Sequence, residues 1–376
     1  MNRIRWFRPL RVVGVSLALL GCASCAPAQP ARTEDGGSFA ALIEGLSEPG
    51  GFFDTDNLVS NESSYLHALD ALRKHGVHGG GYIGVGPEQN FSYIAEIRPE
   101  VAYLLDIRGD NLLLHLLFKA IMEEAGSRTE YLALLFGRFL PADLPDRVGQ
   151  TADALVAGVD SLARTDLAVS QARARVDNRL AGFGVQLSKE ELATIDRLHR
   201  DFMAAGLDLR FSSFGRGPRL QYPTYRDLVQ ARDLAGGQSS FLSTEERYQV
   251  VRDLQLRDRI IPVVGDLAGP HALAAVGRDL AVRNLTVSAM YVSNVEFYLW
   301  GDASFDRFAE TTMGLPSDSQ SVIIRSWFGR TRPHPDAVPG HLSTQVVQTI
   351  DAFRSGVQAG FPSYWDLATQ NNLPPR

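Results

Sequence analysis

Residues 79–108, GGGYIGVGPEQNFSYIAEIRPEVAYLLDIR, read as strand, glycine turn, helix, strand and a closing acid. Residues 82–85 are a short apolar run that ends on Gly84-Val85-Gly86, where glycine lets the backbone turn tightly and leaves room for a ligand. Residues 90–97 carry a helix, and Arg98-Pro99 stops it because proline disfavours helical geometry at the residue before it. Residues 101–105 form a second apolar strand. Asp106 stands at its carboxyl end, twenty residues beyond Gly86, close to the ~20-residue spacing at which an acid meets a ribose hydroxyl in nucleotide-binding folds.

Two ligand classes use this geometry. The full dinucleotide fingerprint has a third glycine, which permits close helix packing and seats a pyrophosphate on the helix amino end. Here Gly84-x-Gly86 is followed by Pro87, Glu88 and Gln89, with no third glycine. A carboxylate at Glu88 would repel a pyrophosphate and attract the ammonium of a methionine moiety, so the loop favours S-adenosylmethionine over NAD. A structural turn without ligand is the alternative.

At the start of the chain, Arg3, Arg5, Arg8 and Arg11 precede an apolar run, residues 12–20, too short to span a bilayer. Leu19-Leu20-Gly21-Cys22 resembles the lipobox of bacterial lipoprotein signal peptides. That resemblance implies cleavage before Cys22, lipidation of its thiol and attachment to a membrane face. Ala23 in place of aspartate makes the outer membrane of the cell envelope the expected destination, by resemblance to known sorting signals. Cys25 is the only other cysteine, which leaves no internal disulfide after lipidation. Without residues 1–21 the chain keeps 33 basic and 43 acidic side chains, a formal charge of −10. An acidic surface is a poor nucleic-acid binder, since phosphate neutralisation needs basic groups.

Residues 22–37 read as a flexible tether and residues 38–376 as the structured part. A helix is expected over 39–46, a turn-rich aromatic segment over 50–57, and a helix over 58–72 capped by Ser60 or Asn61. Asn61, Glu62 and Tyr65 lie near its beginning. His75 and His78 have no Cys or acid at ligand spacing, so no metal is expected. Residues 111–124 form a helix whose polar stripe, Asn111, His115, Lys119 and Glu123, would face solvent or a cleft. Residues 126–206 read as a helical insertion, with helices at 129–139, 148–165 and 188–205, the last opened by a Ser188-x-x-Glu191 capping box. Residues 207–225 are aromatic and turn-rich, and Arg210, Arg216 and Arg219 there would suit an anionic substrate or a solvated loop.

Three more strands are expected: 260–264 followed by Gly265-Asp266, 286–292 followed by Ser293-Asn294-Val295-Glu296, and 321–324 ending at Arg325. Strands separated by helices, each with polar residues at its carboxyl end, describe an α/β, Rossmann-like doubly wound sheet with its ligand crevice along those ends. Asp106, Asp266 and Asn294 would face that crevice. Neither a G-x-S-x-G elbow nor a P-loop occurs.

The succession GVGPEQN, LLDIR, VVGD and YVSNVE resembles the ordered motifs of class I S-adenosylmethionine-dependent methyltransferases. DNLVSNE, IGVGPEQNFSYIA and PVVGDLAGP also resemble stretches of a family of uncharacterised bacterial proteins, some with lipoprotein signals. The first resemblance implies S-adenosylmethionine across Gly84, Gly86, Glu88, Gln89, Asp106 and Asp266. In such folds the segment before the first strand closes over the cofactor, which would bring Asn61 and Glu62 toward the site, while Arg210 of the 207–225 segment would line it for an anionic substrate. Asn294, Glu296 or Tyr291 would orient the nucleophile. Three readings stand: a membrane-anchored methyltransferase, a non-catalytic envelope protein binding an adenosyl or other small polar ligand, and, disfavoured by Glu88 and the missing glycine, an NAD(P)-linked oxidoreductase.

Overall fold

The computed structural model describes residues 38–141, 150–214, 216, 219–301, 303–329 and 332–375, so the leader, Cys22 and the whole tether lie outside the described residues. Six strands are described: β1 Gly81–Gly84, β2 Val101–Asp106, β3 Ile260–Val264, β4 Val287–Ser293, β5 Val322–Phe328 and β6 Ser343–Thr349. They form one sheet in the order β3-β2-β1-β4-β5-β6. The first five are parallel and β6 runs antiparallel to β5. The fold is therefore an α/β sheet of the Rossmann-like, doubly wound type. Every residue of β1 and β2 is buried, as expected of parallel strands covered by helices on both faces.

Strand order reverses between β1 and β4, and in open α/β sheets the crevice outside the carboxyl ends at that switch point is where ligands bind. Gly84 pairs with Leu104 on one side and Tyr291 on the other, which fixes which loops meet there. Gly86 turns with φ +82°, a left-handed conformation that glycine takes without strain. β4 ends irregularly: its register shifts between Tyr291 and Ser293, and Ser293 sits at φ 51°. The helix Gln89–Ile97 connects β1 to β2, and Arg98 leaves it in the left-handed conformation ahead of Pro99.

The helices Arg128–Leu135, Ala152–Asp160, Asp166–Leu180 and Lys189–Ala205 occupy the expected insertion. They share a continuous hydrophobic core with the sheet. The helix Gly109–Glu124 joins the two, with Glu124 accepting from Arg175 Nε at 2.9 Å and Arg179 Nε at 2.8 Å. Ser188 and Glu191 form the capping box read from the sequence.

Two expectations are corrected, and two elements are added. Residues 58–64 are not helical: a 3-10 turn, Tyr65–Ala68, leads into the helix Leu69–His75. Ser63 and Ser64 instead sit in a turn and bond to His341 and to Ser343 at the start of β6. The stripe on Gly109–Glu124 is buried, with Lys119 paired to Glu123 at 2.9 Å and Asp258 at 2.7 Å. The helix Asp166–Leu180 and strand β6 were not expected.

Candidate functional site

The loop after β1 is held from within by one side chain. Asn90 Nδ2 donates to the carbonyls of Val85 at 2.9 Å, Gly86 at 3.2 Å and Pro87 at 2.8 Å, and its Oδ1 accepts from Tyr82 Oη at 2.7 Å. A Cβ at Gly84 would fall 2.0 Å from Asn90 Oδ1, so close packing of the protein on itself accounts for that glycine. His115 adds a further bond, Nε2 to the Gly86 carbonyl at 2.9 Å. A carbonyl only accepts, so Nε2 carries the proton. Burial holds this imidazole down at about 4, neutral at physiological pH.

Asp106 lies on the strand next to the glycine loop, as its spacing predicts, but its carboxylate is engaged. Arg108 approaches it in a fork, Nε to Oδ1 at 3.1 Å and Nη2 to Oδ2 at 3.0 Å, and the Arg108 backbone N–H donates to Oδ1 at 2.9 Å. Arg108 Nη1 then donates to the carbonyl of Asp56 at 3.0 Å. The segment that supplies this carbonyl runs over the carboxyl ends of β2 and β3: Glu48 N–H bonds to the Val264 carbonyl at 2.9 Å and Gly51 N–H to the Ile107 carbonyl at 2.7 Å. Glu48 also accepts from the backbone of Asp266 at 3.0 Å and of His271 at 2.9 Å. Asp266 in turn accepts from Ala268 N–H at 2.9 Å, closing its own turn. The nucleotide half of the crevice is thus filled by the chain itself. An adenosyl group placed as the sequence implied would meet an Asp106 carboxylate that Arg108 already bonds three times, twice on Oδ1 and once on Oδ2, beneath the segment that carries Asp56. The residues present do not fit it in this conformation.

The other half, outside β1, β4 and β5, is organised by Glu62. Buried to 1% exposure, its Oε2 accepts from Tyr291 Oη at 2.7 Å, Ser326 Oγ at 2.7 Å and Gln345 Nε2 at 2.9 Å, while Ser293 Oγ donates to Oε1. Several donors around one carboxylate offset the cost of burying it. Gln89 Nε2 reaches Tyr291 Oη at 3.4 Å. The structure therefore brings together four residues singled out from the sequence, Glu62, Gln89, Tyr291 and the loop glycine Gly86, and adds Ser293, Ser326 and Gln345. Asn57, Asn61, Ser293 and Asn294 remain partly exposed around them. Phe53, four residues before Asn57, meets Tyr298, four residues after Asn294, edge-on, with ring centres 5.0 Å apart.

Five expected residues stand apart. Glu296 is fully buried in a bidentate pair with Arg325, at 2.6 and 3.1 Å, and Arg325 also donates to Gln348 at 3.0 Å. That carboxylate faces the core and is closed to substrate. Arg210 ties its own hairpin, donating to the carbonyls of Leu220 and Tyr222. Arg216 pairs with Asp54, and Arg219 donates to Tyr222 Oη at 3.1 Å. Glu88 turns inward beneath the Gln89–Ile97 helix, and burial pushes its carboxyl up to about 8. Cys22 lies outside the described residues. Among the described residues no three His, Cys, Asp or Glu lie together as metal ligands, and no helix is long and apolar enough to cross a membrane.

The family model described as a domain of unknown function (DUF7790) matches residues 57–179 and 208–360, well over half of the chain. The chain belongs to this family. The matched segments contain the whole six-stranded sheet, the glycine loop, the Asp106–Arg108 pair and the Glu62 cluster, so the features described above fall within what the DUF7790 model covers. The helix Lys189–Ala205 falls in the gap between the segments. No curated protein matches the chain.

Proposed function

We propose that this DUF7790 protein is a non-catalytic binding protein for a small, hydroxyl-bearing polar ligand, held at the membrane of the cell envelope through a lipidated Cys22. The observation that carries the reading is the division of the crevice. Its nucleotide half is closed by Arg108 on Asp106 under the segment that contains Gly51 and Asp56, and its switch-point half keeps accessible amides and a hydroxyl at Asn57, Asn61, Ser293 and Asn294. Amide and hydroxyl groups both donate and accept, which suits vicinal hydroxyls better than a net charge. The rings of Phe53 and Tyr298 beside them offer a face for a flat ligand.

A second reading, methyl transfer from S-adenosylmethionine, is favoured by the strand order and the position of its switch point. It requires Arg108 to leave Asp106 and the segment above to move. The two readings separate when the protein is incubated with an envelope extract and S-adenosylmethionine labelled in its methyl group. The binding reading expects ligand retention with no protein-dependent transfer of label; transfer above that of the boiled protein would overturn it.

A further inference from the structure

Beneath the first turn of the Gln89–Ile97 helix lies a small cavity lined by Tyr65, Glu88, Gln89, Ser92, Tyr225 and Phe241, among others, with space for a single water-sized group. Glu88 and Gln89 are 4% and 7% exposed. Glu88 Oε2 and Gln89 Oε1 have no hydrogen-bond partner among the described residues, and beside them the hydroxyls of Tyr225 and the adjacent Tyr131 face each other. Buried polar atoms are nearly always paired, because an unpaired one costs about 1–3 kcal/mol. Here a carboxyl oxygen and an amide oxygen are left over in one place beside two phenols; the amide oxygen only accepts, and the carboxyl becomes acceptor-only once it ionises.

A guest that satisfies them must be small, must donate in several directions and gains from a negative charge at Glu88. One acid and three neutral oxygens are too few for a hard divalent cation, which takes about six or more ligands. We propose that this chamber binds one free ammonium ion, with Glu88, Gln89 and Tyr225 accepting its protons. Binding is coupled to ionisation of Glu88: the carboxyl releases its proton and the cation takes its place. The other titratable groups facing Glu88 are the phenols of Tyr65, Tyr131 and Tyr225, from the 3-10 turn, the Arg128–Leu135 helix and the Tyr225–Val229 helix, and burial raises all three above their ordinary value. Glu88 is therefore the group that titrates near neutrality.

The test is thermal unfolding of the full chain in ammonium, methylammonium, potassium or sodium chloride at equal ionic strength, from pH 6 to 9. Ammonium is expected to raise the melting temperature above the sodium value, with apparent affinity rising about tenfold per pH unit up to about pH 8 and levelling beyond it, as the competent fraction saturates. Methylammonium, whose methyl group the chamber has no room for, should leave the melting temperature at the sodium value, and a shift matching that of ammonium would overturn the size argument. Glu88→Gln should abolish the ammonium-specific shift, and Tyr225→Phe should weaken it at least tenfold while keeping its pH profile. Equal shifts in ammonium, potassium and sodium, or an ammonium shift retained by Glu88→Gln, would overturn the proposal.

Discussion

Replacing Glu88 by Gln should stabilise the protein in alkaline solution and do little in acid. The carboxyl is buried with one oxygen unpartnered, and burial raises it from 4.5 to about 8. Below 4.5 it is neutral in both folded and unfolded chains, and the folded state carries no ionic penalty. As pH rises, the unfolded chain ionises first, and stability falls progressively until the folded carboxyl ionises near 8; above that the loss is constant. At ~1.4 kcal/mol per pH unit, the full loss is roughly 5 kcal/mol. Glutamine keeps the shape and cannot ionise. Urea unfolding of both proteins in sodium buffers at pH 5, 7 and 9 measures the difference, in which every other titrating group cancels. The variant should match the wild type within about 1 kcal/mol at pH 5 and exceed it by about 3–5 kcal/mol at pH 9. A pH-independent difference, or a wild type that gains on the variant as pH rises, would show that Glu88 is not the buried neutral acid described above.

Asp106→Asn removes the charge that Arg108 is folded onto, so unfolding should become easier by about 2–4 kcal/mol in denaturant titration; unchanged stability would mean that the pair is not formed. Glu62→Gln turns one acceptor oxygen into a donor among groups that already donate, and should cost about 2–3 kcal/mol while also weakening ligand binding, because Ser293 and Tyr291 lose their anchor. A variant as stable as the wild type would remove Glu62 from the centre of the site. Cys22→Ser should leave unprocessed precursor and block lipid labelling, and normal processing of the variant would exclude the lipid anchor.

The five parallel strands were legible because each is an apolar run closed by a turn or polar group, and a buried parallel strand has no other pattern to show. β6, STQVVQT, was not. Its polar residues belong to an interior hydrogen-bond network, with Gln345 on Glu62 and Gln348 on Arg325, and such a strand does not read as apolar. The Asp166–Leu180 helix carries its buried side on Ala168, Ala172, Val176 and Leu180, small or spaced too sparsely to stand out among charges. Within the site, position was easier to read than partnership. The place of Asp106 followed from its strand, but whether it was open to a ligand depended on Arg108 two residues on and on carbonyls some fifty residues earlier. Glu88 read as a loop acid because its spacing from Gly86 is local. Its burial is set by Tyr65, Tyr225 and Phe241, which only the fold brings to it.

Titration calorimetry of adenosine and S-adenosylmethionine into wild type, Asp106→Asn and Asn294→Ala most directly tests the division of the crevice. Saturable binding of adenosine is expected, kept within about threefold by Asp106→Asn and weakened roughly tenfold or more by Asn294→Ala, at ~1.4 kcal/mol per decade. No binding of either ligand, or binding of S-adenosylmethionine that a folded Asp106→Asn variant loses, would contradict the account.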